Sequence, residues 1–292
     1  MGMDHPECPA RLRAIDDQLI SSGLMDFLQR HDAPLATFEQ LARVHAPRYI
    51  EAVKAAAPRE GLVYLDPDTA MNPFTLNAAL RAAGAVVLAT ELVLERKVEN
   101  AFCAIRPPGH HAESGRAMGF CLFNNVAVGV AHAMAQFGLQ RVAIADFDVH
   151  HGNGTEEIFH DDPRVMLCST FQHPFYPHCG ANSGNDHIIN VPLPAGTDGE
   201  AFRKAVTERW LPALERFRPE MLFVSAGFDA HWEEDMAMFR LKEADYAWVT
   251  RQIKDVAEKY AQGRVVSALE GGYELHALGR SVAAHIKVLS GL

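Results

Sequence analysis

Arg141-Val142-Ala143-Ile144-Ala145-Asp146-Phe147-Asp148-Val149-His150-His151 changes character in its middle. After Arg141 its next four residues are apolar, the pattern of a strand buried on both faces, and polar residues begin immediately after. Four other runs read the same way: Ala101–Ile105, Val165–Cys168, Met221–Ser225 and Arg264–Leu269. Amphipathic segments separate them at Thr75–Leu94, Asn125–Phe137, Gly199–Phe217, Lys242–Tyr260 and Leu275–Leu289. Each is long enough to be a right-handed crossover between parallel strands. The class is therefore α/β, a mainly parallel sheet with helices on both faces, and residues 1–292 read as a single domain.

Two segments depart from the alternation. His173–Thr197 is rich in Pro, Gly, Asn and His and is expected to be a long functional loop. Met1–Arg13 contains no strand-like run ahead of Asp4-His5-Pro6-Glu7, so the hydrophobic strand that usually starts such folds is missing.

Composition narrows the function classes. With 48% hydrophobic and 22% charged residues the chain reads as a folded, soluble protein. A net charge of −10 without a dense Lys/Arg cluster argues against direct nucleic-acid binding and favours a neutral or cationic substrate. The five cysteines, Cys8, Cys103, Cys121, Cys168 and Cys179, form no C-x-x-C pair and follow no signal peptide, which points to the reducing cytoplasm. The longest apolar runs are too short for a bilayer, and Thr75–Leu94 is interrupted by Arg81, Thr90 and Glu91, so no membrane segment is expected.

Polar constellations follow four of the strands: Arg106-Pro107-Pro108-Gly109-His110-His111, Asp146 to His151, Gly227-Phe228-Asp229 and Glu270-Gly271-Gly272-Tyr273. In open parallel sheets ligands bind at the carboxyl ends of the strands, where all four would converge. In extended backbone Asp148 and His150 share a face and can offer oxygen and nitrogen to one point. Asp229 is the best-placed third ligand, and two carboxylates with one imidazole leave a fourth position open, as in catalytic zinc sites. One D-x-H alone is more often a strand-end turn; Asp229 and the paired histidines shift the balance. Most of the fifteen histidines, His31, His132 and His285 among them, are expected to be structural or surface residues. The His110-His111 doublet after a Pro-Pro-Gly turn is different, because a metal-activated water needs a base near neutral pH. Tyr273 reads equally as a satisfied core ring or as a phenol donating to an oxyanion, with the two glycines before it allowing close approach.

Together these residues resemble the histone deacetylase superfamily, and more closely its class II branch with the bacterial deacetylase-like amidohydrolases. The resemblance runs from His5-Pro6-Glu7 through Arg106–Ala112, Gly119-Phe120-Cys121-Leu122-Phe123-Asn124-Asn125, Asp146–Gly154 and Ser225–Asp229 to Glu270–Glu274. It implies an arginase/deacetylase-like three-layer α/β/α fold, with zinc on Asp148, His150 and Asp229. It implies His111 as general base and later proton donor, His110 assisting with Asp146 as partner, and Tyr273 polarising the carbonyl. Asp146, Asp148, His150, Ser169 and Thr170 match positions around a structural potassium ion. Gly119, Phe120 and Phe175 match the lining of a narrow acyl-lysine channel, Asp68 a rim residue that holds substrate, and Met236 the position where polyamine-selective relatives carry a gatekeeping Glu. Asn153 stands where class I members place a second Asp, so His111 should be neutral more readily.

The expected activity is zinc-dependent hydrolysis of linear N-acyl amines, acetyl-lysine side chains or small acylated amines, with acetylpolyamines as the alternative substrate. An arginase-like two-manganese hydrolase is disfavoured because Ala230 and His231, not a second Asp, follow Asp229. A non-catalytic acyl-binding module is disfavoured by the intact His110, His111 and Tyr273. The sequence does not fix the oligomeric state, although related bacterial enzymes are often dimers or tetramers.

Overall fold

The computed structural model describes residues 1–2 and 5–292; Asp4, within the quoted N-terminal motif, lies outside the described residues. The chain runs through α1 (Ala10–Ser21), α2 (Phe38–Leu41), α3 (Pro47–Ala56), β1 (Val63–Asp66), β2 (Thr69–Met71), α4 (Thr75–Leu94), β3 (Asn100–Cys103), α5 (Asn125–Phe137), β4 (Val142–Asp146) and α6 (Asn153–Phe159). It continues with β5 (Val165–Gln172), β6 (Ile188–Leu193), α7 (Gly199–Ala205), α8 (Leu211–Phe217), β7 (Met221–Ala226), α9 (Glu243–Tyr260), β8 (Val265–Leu269) and α10 (Leu275–Ser290). β1 and β2 pair as an antiparallel hairpin, while the six remaining strands form one sheet in the order β3-β8-β7-β4-β5-β6 with every pairing parallel. The three-layer α/β class is thus as expected.

The central strands β4, β7 and β8 are buried along their whole lengths, which is why they read as mostly apolar runs. Helix ends follow local chemistry. The Asn124 side chain accepts from Ala127 N to start α5, and Gly138 in the left-handed region stops it. The expected helix Gly199–Phe217 contains a π-helical stretch at Val206–Trp210, just before Pro212, whose ring nitrogen cannot donate to a helical ladder. By length and composition α4 could cross a membrane, yet Ala79, Ala83, Val86, Val87 and Thr90 are buried in the protein core. Among the described residues no strand precedes Val63.

One expectation is corrected. His173–Thr197 is not loop throughout, because Ile188–Leu193 forms β6 and pairs with β5. Ile188, Ile189 and Val191 suit a strand, and Pro192 is tolerated because β6 is an edge strand with one side free of ladder bonds. The preceding strand also runs on to Gln172, past the expected end at Cys168, since Ser169 and Thr170 are buried with it.

Candidate active site

Strand order places the site. From β4 the chain moves outward to β5 and β6, then returns to the other side of β4 for β7 and β8, so the direction of winding reverses at β4. At such a switch point the loops beyond the strand ends separate and leave a crevice. The loops after β3, β4, β7 and β8 carry the four polar constellations into it.

The loop after β4 is shaped by its own carboxylates. Asp148 N donates to Asp146 Oδ1 at 3.1 Å and His150 N donates to Asp148 Oδ1 at 2.9 Å, two successive Asx turns. The strand ends at Asp146, so these turns bring Asp148 and His150 together; the strand alternation expected from sequence does not. Asp229 joins them from the loop after β7, and donor atoms of the three residues lie within 4.8 Å of one another. His150 Nδ1 is 3.1 Å from both Asp148 Oδ1 and Asp229 Oδ2. All three side chains are buried. Burial disfavours charge on His150, but the hydrogen bonds and charges of Asp148 and Asp229 outweigh it and raise its pKa to about 9. Burial likewise raises Asp229, with Asp148 beside it, to about 6. Two buried carboxylates facing one imidazole call for a cation, and this N/O donor set with an open position suits a divalent ion of the zinc type.

Buried carboxylates also bind the loops to one another through backbone N–H groups. Asp229 Oδ1 accepts from Val149 N at 3.0 Å and Asp148 Oδ2 from Gly271 N at 2.9 Å. Glu270 Oε2 accepts from Gly109 N at 2.6 Å and His110 N at 3.1 Å. Glu234 Oε2 accepts from Tyr273 N at 2.7 Å and Glu274 N at 3.1 Å. A Cβ at Gly271 would run into the Asp229 and Asp148 carboxylates, so only glycine lets this loop approach them.

His110 and His111 lie with ring centroids 4.0 Å apart, tilted by 44° to one another, and face different partners. His110 Nδ1 lies 3.0 Å from Asp146 Oδ2, and its Nε2 lies 3.8 Å from Asp148 Oδ2. Burial opposes its charge, yet Asp148 and Asp146 prevail and raise His110 to about 10. His111 Nδ1 lies 2.8 Å from Asn153 Oδ1. Burial, then the neighbouring His110 and His150, push its pKa well below the usual histidine range. One imidazole is thus kept charged and its neighbour kept neutral.

Tyr273 comes to the same crevice from the loop after β8. Its ring meets Phe120 edge-on at 5.9 Å and lies under the Arg11 guanidinium, 4.8 Å from the ring centre. Arg11 is fully buried and donates to the carbonyls of Glu270 and Gly272 (2.7 Å to the latter), holding this loop from behind. Phe175 stacks on His150 at 5.3 Å with an interplanar angle of 18°. Gly119, at φ +56°, leaves room that a side chain would take from the His111 ring. Asp68 Oδ1 accepts from Gly119 N at 3.1 Å and so holds the Gly119–Phe120 turn. Ser169 is paired in register with Asp146 and its buried hydroxyl has no hydrogen-bond partner among the described residues; Thr170 is buried beside it.

Met236 is half-buried on the loop between Asp229 and α9, and no ring contact or hydrogen bond ties it to the cluster among the described residues. Sequence reasoning missed Tyr176, whose ring lies edge-on to His111 at 5.2 Å and to His150 at 6.0 Å. Its adjacency to Phe175 in a proline-flanked turn was the available signal. It also missed Arg11 and the loop-holding role of Glu234, neither of which carries a pattern in the sequence. Of the histidines expected to be bland, His31 is exposed, while His132 and His285 are buried away from the site in contacts with Arg43, and with Thr250 and Ser267.

The chain matches the family model described as histone deacetylase domain over residues 5–289. It is 38% identical over 295 residues to the histone deacetylase-like amidohydrolase of Pseudomonas aeruginosa, covering 99% of this chain and 77% of that protein. A probable deacetylase of Archaeoglobus fulgidus is 37% identical over 279 residues, covering 93% of this chain and 77% of the relative. Among solved structures, the HDA15 HD domain superposes with a TM-score of 0.92 at 35% identity, covering all of this chain and 83% of that one.

Proposed function

This chain belongs to the histone deacetylase family of amidohydrolases, and from that premise we propose that it is a zinc enzyme cleaving linear acyl-amide bonds, with acyl-lysine side chains as substrate class. The observation that carries the reading is the convergence of the Asp148–His150–Asp229 triad with one charged and one neutral imidazole. A zinc ion held by the triad would polarise the acyl carbonyl and acidify the attacking water. His111, neutral and hydrogen-bonded through Nδ1 to Asn153, takes a proton from that water and returns it to the departing amine nitrogen. His110, held charged by Asp146 and Asp148, stabilises the negative charge that develops on the carbonyl oxygen. Burial raises the pKa of Tyr273, so its hydroxyl stays protonated and can donate to that oxyanion.

Phe175 and Tyr176 against the histidines, and Phe120 against Tyr273, supply aromatic surface suited to the apolar stem of an acylated lysine. Met236, where polyamine-selective relatives carry Glu, favours this class over acetylpolyamines. We also assign potassium to the site framed by Asp146, Asp148, His150, Ser169 and Thr170, supported by the unpartnered Ser169 hydroxyl. The five cysteines, all free, fit our placement of the chain in the reducing cytoplasm. The test is elemental analysis followed by assay against acetyl-lysine peptides, acetylpolyamines and longer acyl-lysines. One zinc per chain with turnover of acyl-lysine is expected; two manganese ions, or no turnover of any acylated amine, would overturn the reading.

A further inference from the structure

Asn153 ends in an amide, so either its oxygen or its nitrogen can face His111, and the two choices leave the imidazole proton on opposite ring nitrogens. Three contacts fix the choice. Asn153 Nδ2 lies 2.9 Å from Glu113 Oε1 and 3.3 Å from Met118 Sδ, groups that only accept, while Oδ1 lies 2.8 Å from His111 Nδ1. An ionised carboxylate has no proton to give, so Nδ2 must turn toward Glu113 and Oδ1 toward His111. Since Oδ1 can only accept, His111 Nδ1 must carry the proton, and Nε2 keeps the lone pair. Glu113 is itself held in place: Arg116 Nη2 donates to the same Oε1 at 2.9 Å and to Met118 Sδ at 3.0 Å, while Glu113 N donates to Arg116 O at 3.0 Å.

We infer that Glu113 is a positioning residue that sets the tautomer of the base His111 through the Asn153 amide. The inference rests on the proposed function for the meaning of "base", though the tautomer exists independently of turnover. Without Glu113, Nδ2 keeps only the longer contacts to Met118 Sδ at 3.3 Å and His111 O at 3.4 Å, so the flipped amide competes, presenting Nδ2–H to His111 Nδ1 and moving the ring proton to Nε2, where it blocks proton abstraction. The sequence shows nothing of this, because Glu113 and Asn153 are forty residues apart in the chain.

The test uses zinc-loaded, full-length protein with 15N-labelled histidine, the His111 signals being identified by their loss in His111→Gln. Nitrogen shifts distinguish the two neutral tautomers. Wild type is expected to show Nδ1–H. Glu113→Ala, and Glu113→Leu as a bulkier variant, should populate Nε2–H and lower kcat about tenfold, the effect of a ~1.4 kcal/mol change in the barrier, with KM within about twofold. Glu113→Gln keeps an accepting oxygen and should restore both tautomer and kcat. Retention of Nδ1–H and of wild-type kcat in both the Ala and Leu variants would overturn the inference. Absence of wild-type turnover would sink the proposed function instead, leaving the nitrogen shifts to decide the tautomer.

Discussion

Replacing Asn153 by Asp puts a carboxylate oxygen 2.8 Å from His111 Nδ1, in a place where the ring is buried and solvent screens little. Two unit charges about 4 Å apart interact by roughly 4 kcal/mol at an effective dielectric of about 20, an upper bound; carboxylates beside a cation ordinarily shift a pKa by about 1–3 units. The shift must be upward, since the carboxylate favours the imidazolium, and it opposes the burial and the His110 and His150 charges that now depress His111. Glu113 complicates the single exchange. The second oxygen of the new Asp would stand where Nδ2 now donates to Glu113 Oε1 at 2.9 Å, bringing two acceptors face to face. One of them must take a proton or swing away, which cancels much of the new charge. The single variant should therefore shift by about one unit, and Asn153→Asp combined with Glu113→Gln by about two to three. The assay is kcat/KM against pH, whose acidic limb reports the free-enzyme base and should move to higher pH in that order. Because the activated water can titrate in the same window, only differences between variants are compared. An unmoved limb in the folded, zinc-loaded double variant would refute both the contact and the assignment of His111 as base.

Alanine at Asp148, His150 or Asp229 should remove zinc and activity together, and unchanged zinc by elemental analysis in all three variants would end the metal assignment. Tyr273→Phe should keep fold and zinc but lower kcat by about 10²–10³, the usual loss of one oxyanion donor; unchanged turnover would make the hydroxyl a bystander. His285 predicts an acid-labile fold. Burial lowers its pKa to about 3 from 6.5, so between these values the unfolded chain binds the extra proton; its stability contribution is whole above pH 6.5 and drains away as pH falls. His285→Gln should flatten denaturation free energy against pH by about 1.4 kcal/mol per unit in that window, and an identical slope would show that His285 does not stay neutral.

Strands packed on both faces were easy to read, since β4, β7 and β8 are buried throughout and apolar but for Asp146, Ser225 and Ser267. The edge strand β6 was hidden because Pro192 and the neighbouring Asn and His residues belong to loop chemistry, and only its pairing with β5 makes it a strand. The candidate metal triad and the histidine pair were legible because such donor types follow strand ends for few structural reasons. Their geometry was less so: Asp148 and His150 converge through Asx turns, a matter of side chains bonding to backbone. The contacts of Glu113, Glu234 and Arg11 were invisible for a common reason. Each acts on a segment distant in the chain, and a lone charged residue in a sequence reads as solvated surface.

Those distant contacts determine how the site should respond to damage. Each of the four loops is held to a neighbour by a carboxylate accepting backbone N–H bonds: Glu270 on the Gly109–His110 loop, Asp229 on Val149, Asp148 on Gly271, and Glu234 on Tyr273 and Glu274. Under the proposed zinc assignment Asp148 and Asp229 would do two tasks at once, offering oxygens to the cation and fixing the loops that carry its other neighbours. Backbone N–H bonds to carboxylate oxygens in a dry interior reinforce one another, so the loops hold their spacing before substrate arrives. The same sharing couples the positions. Losing Asp229 frees Val149 and with it the His150 turn, so its effect and that of His150 loss will not add, whereas the Glu234 contact reaches the site only through Tyr273. A preorganised grid of this kind lets His110 stay charged and His111 neutral at a ring separation of 4.0 Å, because neither ring can move to relieve the difference.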